Sequence, residues 1–228
     1  MNKVTQAPTK DRPILLSTDM ARAWDLGLKT NTRRMKGLDK VNLDPHNWSY
    51  KGVDFDGDHV FWPVWDEEKI FSADAVALPC PFGVKGDRLW PREPWRTYTR
   101  FDRLKPAELY PHTPIQYLAG GTNGNPIDGT FTPGKYRHAR FMCRWMSRNL
   151  SEIVSIRAER LQDISKDDCI KEGMQGLEDV HAGWHESFAR LWNSINGDGS
   201  WDRNPWVWVV VFKMVVGPSI ARTLPYKP

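Results

Sequence analysis

Two stretches of this sequence carry residue types that could do chemistry. The first is Lys29-Thr30-Asn31-Thr32-Arg33-Arg34, which puts one lysine, two threonines and two arginines within six residues just after Gly27. A run of ammonium, hydroxyl and guanidinium donors of this kind suits the recognition of an anion or of a polar base edge. The second runs from Arg88 to Arg148 and holds eleven Arg or Lys against four acids, although the whole chain carries a formal charge of only +4. Within it Arg88, Arg92, Arg144 and Arg148 recur with Trp90, Trp95, Tyr98, Tyr136 and Trp145. Arginine interleaved with aromatic rings offers phosphate neutralisation together with base stacking, the combination used on single-stranded nucleic acid. The alternatives are arginines that solvate an irregular insertion, and a Trp145 that packs beneath a rim instead of stacking a base.

Other chemistries are poorly served. Cys80, Cys143 and Cys169 are odd in number, widely spaced and form no CxxC pair, which points to reduced thiols instead of a disulfide framework or zinc ribbon. The six histidines share no metal-ligand spacing with them, so neither a metal nor a cofactor is expected. Asp54-Phe55-Asp56-Gly57-Asp58 resembles an acidic calcium loop but lacks the twelve-residue ligand spacing and the closing Glu, and a hairpin turn at Asp56-Gly57 accounts for it better. The longest apolar run, from Val207 to Phe212, ends at Lys213, far short of a membrane span. Residues 1–12 are polar and lack the apolar core of a signal peptide, so the expected location is cytoplasmic.

Periodicity sets out the elements that must hold these residues. Pro13-Ile14-Leu15-Leu16 reads as a strand, Ser17 or Thr18 as a helix N-cap, and Gly27 as the stop after Met20, Ala21, Ala23 and Trp24. Val60-Phe61-Trp62 is the returning strand of the Asp56-Gly57 hairpin, and Gly86-Asp87 turns into a strand at Leu89. Residues 153–161 alternate, with Ile153, Ser155, Arg157 and Glu159 on one face. Ser165 starts a helix with Asp167 and Asp168 in its first turn and Gly173 at its end. Phe188, Leu191, Trp192 and Ile195 form a helical stripe, and 206–215 is the most apolar strand, expected to run through the core. Residues 35–79 and 96–140 are rich in Gly, Pro and Asn or Asp and lack periodicity, so they read as long irregular insertions, the second flexible in part.

The ordered stretches resemble a known family. Gly27 to Arg34 fits the GxKxxxxR signature of ASCH domains, which have the PUA-like fold, and Lys85-Gly86-Asp87-Arg88-Leu89-Trp90 is similar to the strand that follows it there. The segment LQDISKDDCIKEGM, ending at Met174, is similar to the family's later helix, and Trp206 to Phe212 to its closing strand. The layout also resembles a larger, phage-encoded branch through STxM, TRR, CPxGxxGDRLWxRE, RWxSR, ERLQDIS and the LWxSING-to-NPWVWV stretch. The resemblance covers most of residues 13–214. It implies an α+β protein: one PUA-like, ASCH-type mixed β-barrel over 13–216 with flanking helices and long irregular insertions at 35–79 and 96–140. A flexible lead (1–12) and a tail (217–228) complete the expected layout.

The resemblance further implies a cleft for a base, nucleoside or nucleic-acid strand. One compact bacterial type resembles an amidohydrolase that deacylates N4-acetylcytidine, and its Lys, Thr and Glu match Lys29, Thr32 and Glu172 here. Such a trio needs Lys29 to act as base for the Thr32 hydroxyl, which requires its pKa to fall through burial or nearby cations such as Arg33 and Arg34. The alternative is that Lys29 and Arg34 grip phosphates while Glu172 pairs with one of them, keeping Lys29 protonated. The expected function is therefore recognition of nucleic acid, RNA or a modified base. An amidohydrolase using the same residues is the alternative, and a phage scaffold or protein-interaction module the third. Both readings of the site require positions some 140 residues apart to converge.

Overall fold

The structure is a computed structural model that describes residues 9–123, 132–175 and 183–216. Most of the expected N-terminal lead, the 217–228 tail and the Gly124-Asn125-Pro126 part of the second insertion lie outside the described residues. In chain order the strands are β1 (Asp11–Leu15), β2 (Asn31–Arg34), β3 (Trp48–Val53), β4 (His59–Pro63), β5 (Val76–Leu78) and β6 (Arg88–Arg92). They continue with β7 (Trp95–Arg96), β8 (Ile115–Tyr117), β9 (Thr122–Asn123), β10 (Leu150–Arg160) and β11 (Trp206–Val216). The α-helices are α1 (Thr18–Asp25), α2 (Asp39–Asn42), α3 (Lys166–Cys169) and α4 (Gly183–Asn196). The fold is mixed α+β.

The chain divides into two compact units, each assembled from separated stretches. One comprises the chain up to Asp25, Gly86–Glu152 and the chain from Lys213 on. Here β1 pairs with β6 in parallel, and β6 pairs with the start of β10 in antiparallel. Helix α1 is capped by Ser17, whose hydroxyl accepts the Met20 amide at 3.4 Å, and buries Met20, Ala21, Ala23 and Trp24. The second insertion is not the irregular excursion expected from its composition. Its described part holds a three-stranded antiparallel sheet, β7-β8-β9, over a core of Trp95, Leu109, Ile115, Tyr117, Met142 and Met146. Strands of two or three residues are too short to leave a readable alternation in sequence, which is why composition alone reads as an irregular, partly flexible insertion.

The other unit comprises Leu26–Lys85 and Ile153–Phe212. Strand β2 runs antiparallel to β11 with Thr32 opposite Val210 and Arg34 opposite Trp208. The first insertion folds as an antiparallel sheet, β3-β4-β5. Its turn is the expected hairpin: Asp54 Oδ1 accepts the amides of Asp56 and Asp58 at 3.0 and 2.9 Å, so the carboxylate serves the turn. The core joins Leu161, Ile164, Cys169 and Met174 to Phe188 and Trp192 of α4 and to Val207 and Val209 of β11. Ile195, placed by periodicity on the buried stripe of α4, lies in the last turn and is half exposed.

No described sheet closes on itself; among the described residues β1 has β6 as its single strand neighbour and β2 has β11. The α+β class is as expected, but the mixed β-barrel implied by the resemblance is not closed among the described residues. No helix of the described residues is long and apolar enough to cross a membrane.

Candidate functional site

Ser165 starts α3 by accepting the Asp168 amide at 3.1 Å, and Asp167 and Asp168 in the first turn suit the helix dipole. The helix widens into a π-type turn after Cys169 and is broken at Gly173, whose φ of 89° is one that side-chain-bearing residues rarely adopt. This turn presents Glu172 inward, while the Lys171 carbonyl accepts the Thr30 amide at 2.8 Å and so fixes the approach to β2.

The two sequence-distant stretches therefore meet. Lys29 Nζ donates to Glu172 Oε2 at 2.6 Å and to the Glu172 carbonyl at 2.7 Å, and both side chains are almost sealed from solvent, at 3% and 4% exposure. Burial pulls the Lys29 ammonium below the usual lysine range, with Glu172 opposing that shift and Arg34 and Arg33 adding to it. Arg33, fully buried, donates Nη1 to Glu172 Oε1 at 3.2 Å, Nε to Glu159 Oε1 at 2.9 Å and Nη2 to Asp168 Oδ2 at 2.9 Å. Arg157 adds bonds to Glu159 and Asp168, and Asn31 Nδ2 donates to Asp168 Oδ1 at 3.1 Å. Three carboxylates thus balance Lys29, Arg33 and Arg157. Arg33 is sealed from solvent and committed to all three, so its expected role as a ligand contact is corrected to that of a buried anchor.

Thr32 does not join this group. Its hydroxyl is fully buried and has no hydrogen-bond partner among the described residues, so it bonds neither Lys29 nor Glu172. The reason is strand parity: side chains alternate, so Asn31 and Arg33 face Asp168 and Glu172 while Thr32 and Arg34 share the opposite face with Val210 and Trp208. Trp208 rests there on Phe61 and His59 of β4. Arg34, half buried, donates Nη1 to the Arg33 carbonyl at 3.2 Å.

The remaining expected ligand contacts belong to the other unit. Arg88 Nε binds Asp11 Oδ1 at 2.7 Å and Arg144 binds Asp11 Oδ2 through Nε and Nη2 at 3.1 Å each. Arg92 and Arg144 lie over the Trp90 ring, 4.7 and 5.8 Å from its centroid. Trp90 is buried beneath them and cannot itself stack a base, which corrects its expected role. Trp145 is half buried and packs on the Trp95–Met146 core, the alternative already open from sequence. Arg148 is buried: Nε and Nη2 hold both Glu93 oxygens at 2.9 and 3.0 Å, Nη1 donates to the Gly120 carbonyl at 2.7 Å, and its charge lies over Tyr117. It is a structural arginine, not a ligand contact.

Sequence reasoning missed the carboxylates that govern these cations: Glu159 and Asp168 on Arg33, Glu93 and Asp25 on Arg148 (Asp25 Oδ2 lies 3.1 Å from Nη1), and Asp11 on Arg88 and Arg144. A usable signal existed for Glu159, since the alternation that put Arg157 and Glu159 on one face of 153–161 is the face they use on Arg33 and Asp168. Burial pushes the Cys169 thiol up to about 11, so it is no nucleophile, and no group of three or more His, Cys, Asp or Glu is gathered as metal ligands among the described residues. Comparison with protein-family models, curated proteins and solved structures returns no match.

Proposed function

We propose that this chain is an ASCH-type, PUA-like protein that recognises nucleic acid or a modified nucleoside, gripping phosphates with Arg88, Arg92 and Arg144. The observation that carries this reading is that Arg92 and Arg144 lie over the Trp90 ring while Arg144 and Arg88 share the single carboxylate of Asp11. That leaves a local cationic excess on partly exposed side chains, and Arg92 Nε is buried there without a hydrogen-bond partner among the described residues. The Lys29–Arg33 network is internally neutral by contrast, so phosphate contact falls to the arginines around Trp90. The family assignment rests on the ordered motifs from Gly27 to Phe212 and on the meeting of Lys29 with Glu172.

The test is oligonucleotide binding as a function of salt, with single-stranded RNA and DNA compared. On a single strand the slope of log affinity against log salt steepens by about 0.7 for every phosphate a cation neutralises, so Arg88→Ala with Arg144→Ala should reduce it by about 1.4. Both side chains sit in exposed ion pairs, which contribute only about 0–1 kcal/mol, so the double variant stays folded. Binding that ignores salt, or an unchanged slope in the variant, overturns the reading.

A second reading, an amidohydrolase, is favoured by the buried contact of Lys29 Nζ with Glu172 and opposed by the position of Thr32. In that reaction water adds to the acyl carbon of N4-acetylcytidine, the N4–acyl bond breaks, and acetate and cytidine leave. The expected result is no acetate release by the purified protein. Release that disappears in Lys29→Met and persists in the arginine double variant would replace the binding reading with this one.

A further inference from the structure

An apolar loop takes no part in either group of residues described above. In the unit built from Leu26–Lys85 and Ile153–Phe212, Trp65, Ile70 and Phe71 lie within seven residues and are largely exposed, with Phe71 at 75% and Ile70 free of any cover. Val64 is exposed beside them, and the short turn at Val64–Asp66 packs against that at Pro45–Asn47, which follows the exposed Leu43. The loop is nonetheless held in shape. Asp66 is buried, accepts the Ser72 hydroxyl at 2.6 Å and pairs with Lys69, while Glu67 accepts from Ser49 at 2.9 Å and Lys51 at 3.1 Å. A buried Asp66 anchor with large apolar side chains outside is the reverse of a collapsed loop, and a fixed apolar patch of this kind marks an interaction surface.

Charge identifies what fits it. Residues 43–79 carry eight acids against two lysines, which disfavours an anionic bilayer and disfavours the same patch on another molecule. A partner needs exposed apolar rings set among cations. This chain has such a surface elsewhere: Tyr136 and Phe141 are more than half exposed, Lys135 and Arg140 are exposed beside them, and the Arg140 guanidinium lies 5.5 Å over the Phe141 ring.

We propose that the Val64–Phe71 loop of one molecule docks on the Lys135–Phe141 surface of a second copy, a head-to-tail contact in which Trp65, Ile70 and Phe71 meet Tyr136 and Phe141 while Glu68 meets Arg140. The contact is heterologous, so it extends to chains or closes into rings instead of stopping at a two-fold dimer. Its acceptor surface adjoins the proposed phosphate site, since Arg92 Nη1 donates to the Arg140 carbonyl at 3.2 Å, but it is argued from different side chains and tested on protein freed of nucleic acid, so the two readings fail separately.

The experiment is sedimentation of the full chain, freed of nucleic acid by nuclease, over a concentration series at about 0.1 M and about 1 M salt, between which the screening length falls from about 10 Å to about 3 Å. Dimers and larger species are expected at low salt, shifting toward monomer at high salt. Ile70→Ser with Phe71→Ser should weaken association about tenfold or more, as truncation of a buried apolar anchor does, without touching the fold because both side chains are exposed. Glu68→Lys and Arg140→Glu should each fail to associate alone, and mixing the two should restore association because each then meets a complementary charge. A monomer at every concentration, association indifferent to the Ile70/Phe71 change, or no recovery on mixing overturns the proposal.

Discussion

Glu172→Gln is expected to lower stability by about 3–5 kcal/mol, the usual cost of removing one member of a buried ion pair. The carboxylate serves two cations at once, Lys29 through Oε2 and Arg33 through Oε1, and neither cation has water to turn to. The glutamine oxygen can accept from one of these cations while its NH2 faces the other, so Lys29 loses its counter-charge and keeps neutral acceptors such as the carbonyl of residue 172, whereas Arg33 retains Glu159 and Asp168. Replacing both partners with apolar groups of similar size should therefore recover most of the deficit, and Lys29→Met with Glu172→Leu is the variant to compare. Urea midpoints at constant slope measure both. A decrease below about 1 kcal/mol in the single variant, the range of an exposed pair, would mean that the pair is not sealed from solvent.

The second large effect concerns Arg148→Met. Glu93 is 1% exposed, and burial already pushes its carboxyl above the usual range although Arg148 pulls the other way; Asp25 adds to the upward push. Without Arg148 the raised value rises further, at a cost in stability again of about 3–5 kcal/mol near neutral pH. The sign with pH follows from proton uptake. A carboxyl whose folded pKa lies above its unfolded one gives its full contribution below the unfolded value and loses it as pH rises through the folded one. The deficit of the variant should thus be smallest near pH ~4, grow as pH rises through the displaced range of Glu93, and then level off. Urea unfolding of wild type and variant at several pH values reads this directly, and a deficit that stays flat or shrinks as pH rises contradicts it.

Local patterns explain which parts of the molecule were legible in the sequence. The helix after Ser17, the Asp56-Gly57 hairpin, the 153–161 alternation and the apolar 206–215 strand depend on neighbours a few residues apart, and all four are present. The meeting of Lys29 and Glu172 was legible through motif order, at a separation of 143 residues. Thr32 was misplaced because spacing along the chain does not fix the face of a strand; the β2–β11 register does, and Thr32 stands opposite Val210. Trp90 and Arg148 were misread for a related reason. Arginine beside an aromatic looks the same in sequence whether it awaits a ligand or covers a core, and the distinction lies in remote carboxylates such as Asp11 and Glu93. The second insertion concealed its own core because its apolar residues are dispersed from Trp95 to Met146 among prolines and glycines.

The interleaving of the two units bears on how the protein is made. Both take their last pieces from β11, so a ribosome must deliver nearly the whole described chain before either is complete. Until Glu159, Asp168 and Glu172 have emerged, Lys29 and Arg33 have nowhere dry to go and stay hydrated. Maturation is thus pushed toward the end of translation, and the nascent polypeptide spends most of its synthesis with apolar stretches uncovered, a period in which chaperone contact would matter most.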